Sequence, residues 1–155
     1  MYEGLLHLHS VLRWIILILL LVAIFKSLAD KDRPFTYTSK KIGLWLMIAA
    51  DIILLVGIYQ WIAGPLGLKN IQQLGMKEVM SNNYFRFFAI EHLMGMILAI
   101  ALIHIGRSAG KKNVPDKIKH RLTVLFYGLA LLIILIMIPW PFRFVGENRT
   151  WFPGL

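Results

Sequence analysis

The chain contains no cysteine. Disulfides, thiolate-bound metals, iron–sulfur clusters and covalent c-type haem attachment are therefore excluded. Charge is scarce too: Asp, Glu, Lys and Arg make up 16% of the 155 residues, and only eight residues are acidic. No P-loop, G-x-G-x-x-G, H-E-x-x-H or G-x-S-x-G pattern occurs, so a nucleotide-driven pump or a hydrolase has no support in the sequence. Internal repeats and low-complexity tracts are likewise missing.

What the chain has is apolar length. Hydrophobic residues make up 58% of it, and they gather in four runs at about 5–26, 42–63, 86–107 and 121–141. Each run is close to the ~20 residues that cross a hydrocarbon layer of about 30 Å. The fold class expected is all-α, a polytopic membrane four-helix bundle forming a single domain over 1–155. The first run has no basic segment before it and no A-x-A site after it, which reads as a retained helix and not a signal peptide. Between runs two and three, 66–80 places Leu68, Ile71, Leu74 and Val79 at loosely helical spacing, as a helix lying along the membrane surface would.

The net charge of +9 is placed in the loops. The segments 26–41 and 107–121 hold eleven Lys and Arg, whereas the opposite side holds five. Basic residues between apolar runs act as a topology signal and touch acidic lipid headgroups, so membrane lipids and not nucleic acid are the expected partner. The positive-inside rule then puts both basic loops in the cytoplasm and both termini outside.

Ionisable groups inside membrane helices are costly and need partners. Depth follows from counting about 1.5 Å per residue from the basic ends. His9 and His92 fall at one level in the outer half, Arg13 and Asp51 near the midplane, and His104 and His120 at the basic end. Antiparallel neighbours joined by a short loop predict an Arg13–Asp51 ion pair, with a proton-handling role for Asp51 as the functional alternative. Two histidines at matched depth on different helices fit axial ligation of a b-type haem, with His9 and His92 as metal ligands. Arg13, four residues after His9, shares its face and suits a haem propionate. Gly95 and Ala99 would let a porphyrin or another helix approach closely.

His104 and His120 form a candidate site for a second haem, although His120 sits among Lys117, Lys119 and Arg121 in the manner of a solvated loop residue. Glu91 points away from the His92 face. Its expected partners are Arg86, five residues back and a poor match on an α-helix, or a group on another helix, with a quinol proton as the functional alternative. Trp140, Trp151 and Phe152 in the tail suit the membrane interface, as most of the tryptophans do. Asn148-Arg149-Thr150 matches a glycosylation sequon.

The segments HLHSVLRW (7–14), RFFAIEHLMGMILAIALIHIG (86–106) and IPWPFR (138–143) resemble those of small tetraspan membrane proteins commonly labelled bacterial cytochrome b. A first-helix histidine, with a third helix ending in a histidine before a basic loop, is also similar to small membrane protoporphyrinogen oxidases. The first resemblance implies b haem held by His9 and His92. It also implies electron transfer in the bacterial inner membrane between a quinone and a respiratory partner. The second implies haem-assisted porphyrinogen oxidation, although Arg86 and Glu91 stand where that group would have a lysine, and Asp51 where a second-helix histidine would fall. An accessory or assembly subunit of a larger membrane complex is the non-catalytic alternative.

Overall fold

The computed structural model describes residues 2–146 and 150–151. The sequon at Asn148 and the interfacial Phe152 lie outside them. The described residues are helical, without a strand among them: α1 (Tyr2–Ala29), α2 (Tyr37–Ala63), α3 (Leu68–Leu74), α4 (Met76–Ser81), α5 (Asn83–Arg86), a π-helical turn (Phe87–Glu91), α6 (His92–Ala109) and α7 (Asp116–Met137). Four helical stretches are long and apolar enough to cross a membrane: 2–29, 37–74, 83–109 and 116–137. The chain is thus a multi-pass membrane protein by length and composition.

The spans alternate in direction. One end of the bundle holds both basic loops; the other holds the chain start, the 64–82 connection and the tail. These are called the basic end and the tail end below. Leu20, Leu46 and Ile103 are fully enclosed, together with Ala50, Ala99 and Ala130. Small side chains at the axis let the helices approach, which matters where lipid supplies no hydrophobic drive between them. Leu55, Phe25, Trp45, Ile18 and Leu98 face outward, an arrangement suited to hydrocarbon and not to water.

Gly95 and Gly106 bring α6 against α7, the most extensive helix contact. A Cβ on Gly95 would stand 2.6 Å from Met137 Cγ, and one on Gly106 would stand 2.5 Å from the Tyr127 ring. Gly95 therefore serves helix approach and does not face a porphyrin.

The boundaries differ from the sequence reading at two informative places. The expected surface helix divides into α3 and α4 at Gly75, whose φ of +82° ends one and starts the other; that φ favours glycine. The fourth span ends at Met137 and not near 141, because Pro139 and Pro141 lack the N–H groups that would continue the ladder. Their absence frees the carbonyls of Leu135 and Met137, since each would have bonded the fourth residue on. Side chains take them: Trp140 Nε1 donates to Leu135 O at 2.9 Å, and His92 Nδ1 bonds Met137 O at 2.8 Å. Arg143 covers the carbonyls of Ile136 and Ile138. The sequence IPWPFR is thus a self-contained helix terminus with one acceptor left for His92.

Candidate functional site

The third span carries its widest turn just after α5, at Phe87–Glu91. The backbone N–H of His92 reaches Phe87 O, five residues back, the i→i+5 bond that defines a π turn. Such a turn puts residues five apart on one side, and Arg86 Nε meets Glu91 Oε1 at 2.6 Å. Of the partners expected for Glu91, Arg86 is the one it meets; the spacing is poor only at 3.6 residues per turn, and the helix here has more. Trp61 Nε1 donates to Ala89 O at 2.8 Å, which engages a carbonyl inside the widened turn. Asn82 caps the segment, accepting from Tyr84 N and Phe85 N. Together these contacts fix the orientation in which His92 leaves the turn.

His92 faces His9 of α1. The ring centres are 6.4 Å apart and the planes inclined at 48°. Two imidazoles sharing one metal have centres roughly 6 Å apart, taking about 2 Å per metal–nitrogen bond. Nδ1 of His92 is held by the Met137 carbonyl, the arrangement in which a backbone acceptor fixes the tautomer of a ligating histidine. Gly57 of α2 lies opposite His9: a Cβ there would stand 3.7 Å from His9 Nε2.

Both histidines line a cavity of about 360 Å³ between the spans, within the range of small-molecule and cofactor sites. Its walls are mostly apolar and include Ile16, Leu54, Met96 and Ile134. From Tyr2 to Ile16 it follows α1, about 21 Å of helix rise. Two donors on the wall, Gln60 Nε2 and Arg13 Nε, are buried without a hydrogen-bond partner, a costly state unless an acceptor meets them. Among the described residues no group of three His, Cys, Asp or Glu is placed to hold a metal ion; the pair offers two nitrogens only.

The other expected pairings are corrected. Arg13 does not meet Asp51. Its guanidinium bonds the Trp151 carbonyl and lies 3.4 Å from Ser10 Oγ. Asp51 Oδ1 instead pairs with His104 Nε2 at 2.7 Å. The reason is the tilt of helical side chains toward the helix N-terminus. On α1 this carries Arg13 toward the tail end, whereas on α2 it carries Asp51 toward the basic end. On α6 it carries His104 toward the tail end, so His104 and Asp51 lean together and Arg13 and Asp51 lean apart. The second histidine pair does not form either. His104 is engaged by Asp51, and His120, far from being solvated, is 1% exposed with its ring 4.9 Å from that of Phe35.

Residues that the sequence reading passed over are Gly57, Gln60, Trp61 and the Met137 carbonyl. Only Trp61 carried a usable signal, as an aromatic donor in an apolar run that needs a buried acceptor.

Fold and site together define a polytopic four-helix membrane protein with a histidine pair on the wall of an intramembrane cavity. Compared with known proteins, the chain matches no family model, no curated protein and no solved structure.

Proposed function

We propose that the chain is a membrane b-type haem protein for electron transfer. The observation that supports this most is the His9–His92 pair, 6.4 Å between ring centres, on the wall of a 360 Å³ apolar cavity. Two nitrogens do not complete the coordination of a bare metal ion, but they suit an iron that brings four ligands of its own. His9 and His92 would hold that iron, while Arg13 Nε and Gln60 Nε2, buried on the wall without a partner, would meet its carboxylates. The group supplies a one-electron change at iron when bound. The chain's own residues fix the His92 tautomer, exclude water with apolar walls and set the distance between the two imidazoles.

In this reading the basic loops face the cytoplasm of a bacterial inner membrane, and electrons pass between a quinol and a respiratory partner. The deciding experiment is a reduced-minus-oxidised visible spectrum of the purified protein. A b-type band lost in both His9→Ala and His92→Ala upholds the reading; a colourless protein expressed with adequate haem sinks it. Porphyrinogen turnover would then separate an oxidase from an electron carrier.

An accessory subunit is the second reading, favoured by the half-exposed His104–Asp51 pair. A polar pair on an apolar surface is the kind of patch that a neighbouring subunit covers. Copurification of a partner from gently solubilised membranes, lost in Asp51→Ala, would support it.

A further inference from the structure

At the basic end, away from the histidine pair, polar groups from all four spans converge on a second cavity of about 20 Å³. That exceeds the ~10–15 Å³ that one water needs. Its wall includes Lys26 and Ser27 of α1, Lys40 of α2, Arg107 of α6, and Thr123 and Tyr127 of α7. We propose that this is a binding pocket for a phosphoryl group.

Three observations carry the proposal. First, the charge is unbalanced. No acidic residue lines the cavity, and Asp30 nearby is taken by Lys26 at 2.6 Å and approached by Arg33 at 3.7 Å. Lys40 and Arg107 are left without a carboxylate among the described ion pairs. Second, the donors are enclosed. Ser27, Thr123 and Tyr127 are buried, and Arg107 Nε is buried with no hydrogen-bond partner. An ordinary basic surface would show solvated ammonium groups, not a guanidinium Nε buried without an acceptor. Third, the space is made by missing side chains. A Cβ on Gly43 would stand 2.8 Å from the Tyr127 hydroxyl and 3.9 Å from Arg107 Cδ, so the lack of one lets both residues reach the same point.

Hydroxyls and a guanidinium arriving from several helices suit a tetrahedral oxyanion, whose oxygens point in several directions, better than a planar carboxylate. Lys40, exposed, stands at the mouth as an electrostatic guide. The ligand is a phosphate oxyanion, carried by an acidic phospholipid headgroup or as free phosphate. The proposal is independent of the haem reading.

The test is thermal unfolding of the purified protein in neutral detergent, followed by tryptophan fluorescence. One arm compares sodium phosphate with sodium chloride at matched ionic strength. The other compares phosphatidic acid with the diacylglycerol of the same chains, which differs by the phosphate alone. A rise in melting temperature of several degrees in the first arm only assigns free phosphate, in the second only a lipid headgroup, and in both the phosphoryl group itself. Arg107→Gln and Gly43→Ala should abolish the rise. Should either fail to fold, Lys40→Gln at the exposed mouth should raise the apparent dissociation constant about fivefold, close to the loss of one charge contact. No rise in either arm, or a rise unchanged in Arg107→Gln and Lys40→Gln, overturns the proposal.

Discussion

His104 Nε2 and Asp51 Oδ1 lie 2.7 Å apart and join α6 to α2, with 44% and 45% of their side chains exposed. The surrounding outward residues, Trp45, Ile52, Leu55 and Ile105, are apolar, so the pair is a polar stitch in a hydrocarbon-facing surface.

Removing either partner strands the other in an apolar setting. His104→Ala and Asp51→Ala should each destabilise the bundle, and the double variant should lose less than the two combined. The coupling expected is about 0.6 kcal/mol, the average for polar pairs between membrane helices. Denaturant-induced unfolding of the four proteins in detergent measures it; strict additivity would show that the contact carries no energy.

Pro141 acts on His92 at a distance. Pro141→Ala restores an N–H able to bond Met137 O, the acceptor now used by His92 Nδ1. Losing this backbone partner removes the contact that fixes its tautomer. On the haem reading proposed above, affinity for haem should fall by roughly 10- to 100-fold, the usual effect of removing a partner that orients a ligand. Titration of haem into the apoprotein checks it; unchanged affinity would mean that the Met137 carbonyl does not orient His92.

Gly57 offers a size test of the cavity. A Cβ there lies 3.7 Å from His9 Nε2, an ordinary contact, so Gly57→Ala should keep the fold and, on the proposed haem reading, the pigment. Gly57→Leu should fill the space in front of His9 and abolish the pigment while leaving the helical circular dichroism intact. A pigmented Gly57→Leu would place the cofactor elsewhere.

Asp30, just beyond α1, governs a pH response. The hydrogen bond from Lys26 holds its carboxyl below the ordinary value, helped by the charges of Lys26 and Arg33. A depressed pKa means that the folded state favours the ionised form. The stabilisation is complete above the ordinary aspartate value of about 3.9 and is lost as pH falls through the lower folded value. Acid unfolding of the native chain should therefore steepen below about pH 4 relative to Asp30→Asn, with melting temperature against pH as the measurement.

The spans were legible because apolar length is a strong signal that needs no partner information. The matched depth of His9 and His92 was legible for a related reason: both lie on helices running from the tail end, so the tilt of their side chains displaces them equally. That cancellation fails for Arg13 and Asp51, whose helices run in opposite directions, and the predicted pair was wrong. His120 was misread because its neighbours in sequence are cationic, whereas in the fold it is buried and has the ring of Phe35, a loop residue, 4.9 Å away. Local composition does not report what a loop covers. The role of the Met137 carbonyl was also hidden, since it depends on two prolines and a terminus that the apolar run did not mark.

The wide turn at 87–91 has a bearing on any helical-wheel treatment of the third span. It holds one surplus residue, so the segment before it is out of phase with the segment after it by about 100°. A single periodicity drawn through 83–109 assigns Tyr84, Phe85 and Arg86 to the wrong quadrant. Two wheels, joined at His92, correct this, and the rings that contact that imidazole, Phe87 and Phe88, belong to the turn itself.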